Sequence, residues 1–275
     1  MNHTLNNMKK FLILFILLVT TSKTIAQDLL DLLEQETTET NDYVTSTFKG
    51  TRILNGHSIE NRKKGVLEFI ISHRFGRINL GIDELYGLDQ SNIRFALEKG
   101  ITDNLMIGLG RSSFEKTYDA FFKYKILRQR NTKNPTPVSV SLLGSGAYRS
   151  INDFEPGKKL SFNQRLTFVS QILIARKFSQ GFSLQIMPSY IHKNSVKTFN
   201  DAHDIFAIGL GSRAKLTKRM AANFEYHYTI NPLESINSTN SLAFGIEMET
   251  GGHVFQIILS NSITMIEKSF ITEGS

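Results

Sequence analysis

The chain has 275 residues, 40% hydrophobic and 10% aromatic, with no Cys and no Trp. The apolar content excludes a disordered chain, and the lack of Cys excludes disulfide frameworks, thiolate zinc sites, iron–sulfur clusters and thiol nucleophiles. The formal charge of +7 raises a nucleic-acid reading, which the N-terminus removes. There Met8-Lys9-Lys10 precedes the run FLILFILLVT (Phe11 to Thr20), and Thr24-Ile25-Ala26 offers small residues at a peptidase site. This is the layout of a cleaved secretory signal over residues 1–26; ten apolar residues fall short of the ~20 that span a bilayer. Cleavage removes Lys9, Lys10 and Lys23 and no acid, leaving 29 bases against 25 acids, or +4. No basic cluster interleaved with aromatics remains, so nucleic acid is not an expected partner.

Residues 27–46 change character. Asp28, Asp31, Glu34, Glu36, Glu39 and Asp42 stand without a base among them, beside Leu29, Leu30, Leu32 and Leu33. A short amphipathic helix and an acidic linker are expected here, open to a periplasmic partner. The stretch 43–64 turns basic and β-prone. It reads as a periplasmic tether, or as a plug whose Lys49, Arg52, Arg62, Lys63 and Lys64 meet acids in a lumen. Residues 65–275 form the third division.

From residue 66 the apolar residues recur with a period of two, the mark of a strand with one apolar and one polar face. In 66–75, Leu67, Phe69, Ile71 and Phe75 oppose Glu68, Ser72 and Arg74. The pattern returns at 92–99, 105–112, 117–127, 137–148, 162–177, 182–192, 204–216, 220–228, 240–250 and 253–262. Pro188 falls inside one segment and marks a ladder break or a lipid-facing bend. If the first segment runs outward from the periplasm, the connections alternate between long outer loops and tight inner turns, with 113–116 and 128–136 as exceptions. Tight turns such as Gly100-Ile101-Thr102-Asp103-Asn104 and Gly251-Gly252 suit the role. Outer-membrane barrels show this asymmetry. The expected fold is all-β, an antiparallel up-and-down transmembrane β-barrel of about 11–12 strands.

The stretches TFKGTRILNGHSIE (47–60), DELYGLDQSNIRFALEKGITDNLMIGLGRSS (83–113), KTYDAFFKYKILRQ (116–129) and GGHVFQIILSNS (251–262) resemble a bacterial family of β-barrel proteins of unknown function, also described as membrane or secreted proteins. The resemblance runs from about Asp28 to the last residue. It implies the outer membrane of a Gram-negative cell, with outer-membrane lipid and the assembly machinery as partners, and it brings no reaction or catalytic residue. Members of the family look as though they continue into a final aromatic-ended strand, whereas this sequence stops at Thr272-Glu273-Gly274-Ser275. The expectation is therefore a barrel lacking its final strand, or one closed by 43–54, with the C-terminus left outside after an outward-running last strand.

Candidate chemistry is sparse. His203, Asp204 and Asp201 read as a polar loop, so no metal and no cofactor is expected. A lipid hydrolase would need a Ser or Thr nucleophile with a His base. His73 and His253 share the outer parity, which keeps that reading as an alternative to a non-enzymatic barrel. The inward parity collects Glu68, Arg74, Arg94, Glu98, Asp119, Lys123, Lys125, Arg165, Glu225, Glu247 and Glu249. Bases dominate 92–127 and acids 220–250, so these residues either line a narrow porin-like channel or pair into a network that fills the lumen. A secreted soluble β-barrel or sandwich binding module is the third reading. It requires Phe95, Leu109 and Phe122 to be buried by protein.

Overall fold

The computed structural model describes residues 43–131, 135–151, 159–236, 238–251 and 253–274. The expected signal and the acidic segment up to residue 42 lie outside the described residues. Eleven strands follow in order: β1 (Leu67–Phe75), β2 (Ser91–Gly100), β3 (Leu105–Ser112), β4 (Thr117–Leu127), β5 (Ser139–Arg149), β6 (Leu166–Lys177), β7 (Phe182–Lys193), β8 (Asp204–Lys215), β9 (Met220–Thr229), β10 (Ser241–Thr250) and β11 (His253–Ser260). They form one up-and-down sheet in which each strand pairs antiparallel with its chain neighbours. The sheet is not closed by a β1–β11 ladder among the described residues.

The period-two pattern becomes two faces. Rows such as Phe69↔Leu97 and Leu97↔Leu109 align apolar side chains outward across successive strands. Phe95, Leu109 and Phe122 are 45%, 65% and 52% exposed, the reverse of what a soluble module demands. Inward residues on the same strands, Glu98 and Lys123, are 0% exposed. Apolar side chains outside and charged ones within is the inverted arrangement that lipid imposes on a barrel. Among the described residues no helix is long and apolar enough to cross a membrane.

The strand bounds depart from the sequence pattern where local chemistry intervenes. β6 starts at Leu166, because Asn163–Arg165 form a 3-10 turn in which Arg165 Nε and Nη2 donate to the Leu160 carbonyl at 3.0 and 2.8 Å. At Pro188 the ladder to β8 is continuous, whereas the ladder to β6 passes from Gln171↔Ser189 to Ile174↔Ile186 with the two intervening pairs missing. The interruption lies on one side only, as expected of a residue without an N–H. In the connection after β4, Gln129 and Arg130 hold the entering chain. Val44 N donates to the Gln129 carbonyl at 2.9 Å, and Arg130 stacks 4.3 Å over the Tyr43 ring.

Candidate functional site: a lumen filled by the segments flanking the sheet

Two segments outside the sheet enter the space it encloses. The first turns at residues 53–56. Ile53 N donates to the Gly56 carbonyl and Ser58 N to the Thr51 carbonyl, each at 2.9 Å, which closes a tight hairpin with an Arg52↔His57 bridge. Phe48, Ile53, Leu54, His57 and Ile59 are each at most 5% exposed. Burying each of the four apolar side chains contributes about 1.5–3 kcal/mol. Their neighbours are Leu173, Ala175, Met187 and Ala243 on β6, β7 and β10. Residues 43–54 thus sit within the sheet's concavity and pair with neither β1 nor β11. The expectation that they supply a closing strand is corrected, since their apolar side chains find a protein interior there.

The wall is shaped to this hairpin. A Cβ added at Gly211 would overlap Ile53 Cδ1, and one at Gly245 would overlap Leu54 Cδ2. These two glycines leave the space that the hairpin tip fills.

Polar contacts fix the hairpin at its tip and its stem. Successive backbone amides of Leu54, Asn55 and Gly56 donate to the Glu225 carboxylate at 3.1, 3.2 and 2.9 Å. Three consecutive N–H groups make an anion-binding nest, and Glu225, 1% exposed, supplies the charge. His227 Nε2 lies 3.1 Å from the same carboxylate. On the opposite wall Lys123 Nζ donates to the carbonyls of Ser58 and Glu60 at 2.9 and 2.6 Å, with Thr51 at 3.4 Å. A buried ammonium without partners costs several kcal/mol; these carbonyls offset that cost. Gln185 and Gln256 donate to the carbonyls of His57 and Ile53 at 2.7 and 2.9 Å.

The second segment follows β11. The sequence pattern sends the last strand outward and leaves the C-terminus there. β11 runs parallel in direction to β1, and the residues after it turn back and are buried. Met265, Ile266, Phe270 and Ile271 are each at most 5% exposed, and the last two pack with Val169, Ile191, Ile205, Ala207 and Leu233. Thr229 Oγ1 donates to the Ile271 carbonyl at 2.8 Å. Lys268 pairs with Glu115 at 2.8 Å and Lys193 with Glu273 at 2.5 Å. The two segments meet where Arg52 Nη1 donates to Glu267 Oε1 at 2.9 Å.

Burial and charge act together on the titratable groups of these segments. Desolvation, reinforced by Arg52, Lys123 and Arg94, holds the His57 imidazole well below its ordinary value and hence neutral. Burial raises the Glu267 carboxyl despite Arg52. Burial also opposes ionisation of Glu273, but Lys268 and Lys193 outweigh it and bring that carboxyl to about 2.

Of the inward charges read from the sequence, Arg94 and Asp119 form one ion pair at 2.5 Å across the wall. Glu68 pairs with Arg62, and Arg74 donates to Asn55 Oδ1 at 2.6 Å. Lys125 lies 3.9 Å from Glu60, and Glu98 lies 3.8 Å from Arg52. Glu247 and Glu249 both meet Arg213, at 2.9 and 3.4 Å, and Glu249 also meets Lys49 at 2.6 Å. Arg165 is the exception. It precedes β6 in the rim turn and donates to Tyr148 Oη at 3.1 Å, so its parity in the sequence pattern carries no place in the lumen. Lys63 and Lys64 are exposed at the short-turn end and meet no lumen acid among the described residues, unlike Lys49, Arg52 and Arg62.

Sequence reasoning missed Arg213, His57, Glu267, Lys193 and Glu273. Arg213 shares the inward parity of β8 and could have been found by extending the alternation. Lys193 ends β7 on its inward parity and was reachable the same way; His57, Glu267 and Glu273 lie outside strands, where no periodicity marks them. Among the described residues no group of His, Asp and Glu is placed to hold a metal. The Asp201 carboxylate accepts from Thr198 and Ser235 backbone amides at 3.0 and 2.9 Å, tying two loops together. His73 and His253 lie on the outer face near Phe75 and Phe255, with ring centroids 4.8 and 6.2 Å apart.

No curated protein matches this sequence. A family model described as "Membrane bound beta barrel domain (DUF5777)" matches residues 48–275. That span begins at the lumen hairpin and takes in all eleven strands and the C-terminal segment. The chain therefore belongs to the membrane-bound β-barrel domain family.

Proposed function

We propose that the protein is a non-enzymatic outer-membrane barrel whose resting lumen is stoppered by the two segments that flank its strands. It serves as an envelope component and admits solutes only when the hairpin is displaced. The carrying observation is the two-sided hold on residues 51–60, by the Glu225 carboxylate at the tip and the Lys123 ammonium at the stem. Residues 1–26 would direct export and be cleaved, which places the short turns in the periplasm of a Gram-negative cell and the long loops outside.

The test is planar-bilayer conductance of the refolded protein and of a variant combining Glu225→Gln with Lys123→Met. The wild type is expected to pass little current, and the variant to show frequent openings. A wild type that conducts as steadily as the variant overturns the stoppered lumen. Lipid turnover by the wild type that disappears on replacing His73 or His253 would favour the hydrolase reading instead.

A further inference from the structure

The short-turn end of the sheet carries charge of one sign. Lys63 and Lys64 precede β1, Lys99 lies at the end of β2, Arg176 at the end of β6, and Lys215 and Arg219 flank the β8–β9 turn. All six are exposed, and none of their charged groups pairs with a carboxylate among the described residues. The one exposed acid at this end among those residues, Asp103, accepts from the Lys64 backbone amide at 3.2 Å. At the long-loop end Asp83, Glu84 and Asp204 stand against Arg77, Lys116 and Lys197, and neither sign dominates.

Two of these bases finish lipid-facing rows. Lys99 continues the outward row of Phe95 and Leu97, and across its two ladders it stands opposite Leu67 and Ile107. Arg176 continues the row of Ile172 and Ile174. Its guanidinium carbon lies 5.1 Å over the Phe178 ring, which packs against Phe182 with centroids 6.0 Å apart. A stem laid along the apolar belt with the charge at its margin is how a long basic side chain snorkels. The headgroup layer begins at that margin, where a charge on the outer face costs little. Phosphate is the anion of that layer.

We propose that the short-turn rim is a basic collar that binds the headgroups of anionic phospholipids in the leaflet at that end, with Lys99 and Arg176 making the contacts nearest the belt. Position selects this partner. Lys99 and Arg176 stand outward among apolar side chains, where a lipid phosphate reaches them, whereas a soluble acidic partner would meet the turn tips. Lys63, Lys64, Lys215 and Arg219 strengthen the attraction, because bases beside a membrane surface draw anionic lipid over about a screening length. The collar lies outside the lumen, so its lipid preference does not depend on the hairpin being in place.

The test is the lipid selectivity of the full chain refolded in phosphatidylcholine vesicles that carry a trace of spin-labelled lipid. The fraction of label immobilised at the protein surface is compared for phosphatidylglycerol and phosphatidylcholine labels. Phosphatidylglycerol is expected to be preferred about fivefold, the effect of one base at a membrane surface. The preference should collapse in about 1 M salt, where the screening length is about 3 Å. Lys99→Gln with Arg176→Gln should lower it at least about twofold, while Arg77→Gln with Lys116→Gln at the other end should leave it unchanged. Heat-modifiable migration checks that both variants fold, and the salt comparison uses the wild type alone.

Equal immobilisation of the two labels, a preference that persists in high salt, or one that both variants lower equally overturns the proposal. So does displacement of the lipid label by an equal concentration of soluble glycerophosphoglycerol, which would make the rim a site for free phosphate esters and not for a lipid surface.

Discussion

At the residue scale the lumen is governed by a few desolvated charges with defined partners. Glu225 receives three successive amides, and a hydrogen bond to a charged group contributes about 1.5–3 kcal/mol. Glu225→Gln keeps the shape but removes the charge and one acceptor. It should loosen the tip by about 2 kcal/mol, seen as faster amide exchange at residues 54–56 with strand amides unchanged. His57 gives the hairpin a pH dependence of definite sign. Its folded pKa is depressed below the ordinary 6.5, so its contribution is complete above that value and fades as pH falls. The slope is at most about 1.4 kcal/mol per pH unit, one proton's worth. Arg52, Lys123 and Arg94 surround the same imidazole and disfavour its protonated form. Hairpin exchange measured between pH 8 and pH 5 should rise on acidification in the wild type and rise less steeply in His57→Asn. Glu273, held at about 2 against an ordinary 4.5, should release the C-terminal segment only in the more acidic window below 4.5.

At the element scale, strands and inserted segments obey different rules. Each strand is specified by its own alternation, so β3 and β4 lie where the pattern places them, at 105–112 and 117–127, and β10 begins one residue inside its expected 240–250. The hairpin is specified by what surrounds it. Gly211 and Gly245 belong to β8 and β10, yet their role is to admit Ile53 and Leu54. Gly245→Val should overpack the tip at a cost of about 1–3 kcal/mol, ejecting the hairpin while the β9–β10–β11 ladders persist. Amide exchange resolves the two, and equal acceleration in hairpin and ladder would contradict the idea. The outer face follows the opposite logic. Leu109→Arg, in the middle of an exposed row, should lower folding stability in vesicles by about 2–4 kcal/mol, whereas Leu109→Phe should be nearly neutral.

At the scale of the whole molecule, two segments entering from opposite ends fill one lumen and touch through Arg52 and Glu267, 215 residues apart in the chain. That contact predicts coupling. A double-mutant cycle of Arg52→Met and Glu267→Gln should give an interaction energy of about 0.5–3 kcal/mol, read from conductance or unfolding. Additive effects would mean that the two segments respond independently. The shared direction of β1 and β11, which form no ladder with each other among the described residues, belongs to this scale too, because it follows from the parity of the strand count and from no single strand.

What the amino-acid sequence determined by itself is the wall: eleven strands, their lipid-facing rows and the difference between the two ends of the sheet. These follow from a period of two and from turn residues, both local properties that survive without knowledge of neighbours. The inward parity of Glu225 and Lys123 was equally legible. What these charges meet was not, since an inward carboxylate can face water, a base across the lumen or three backbone amides. Backbone amides carry no side-chain signature, and the hairpin reaches Glu225 from about 170 residues away. Only the tertiary structure decided that the lumen is filled by 48–60 and by the residues after β11. The physical reason is that burial in a concavity depends on its shape and its unsatisfied groups, which exist only once the sheet has curled around them.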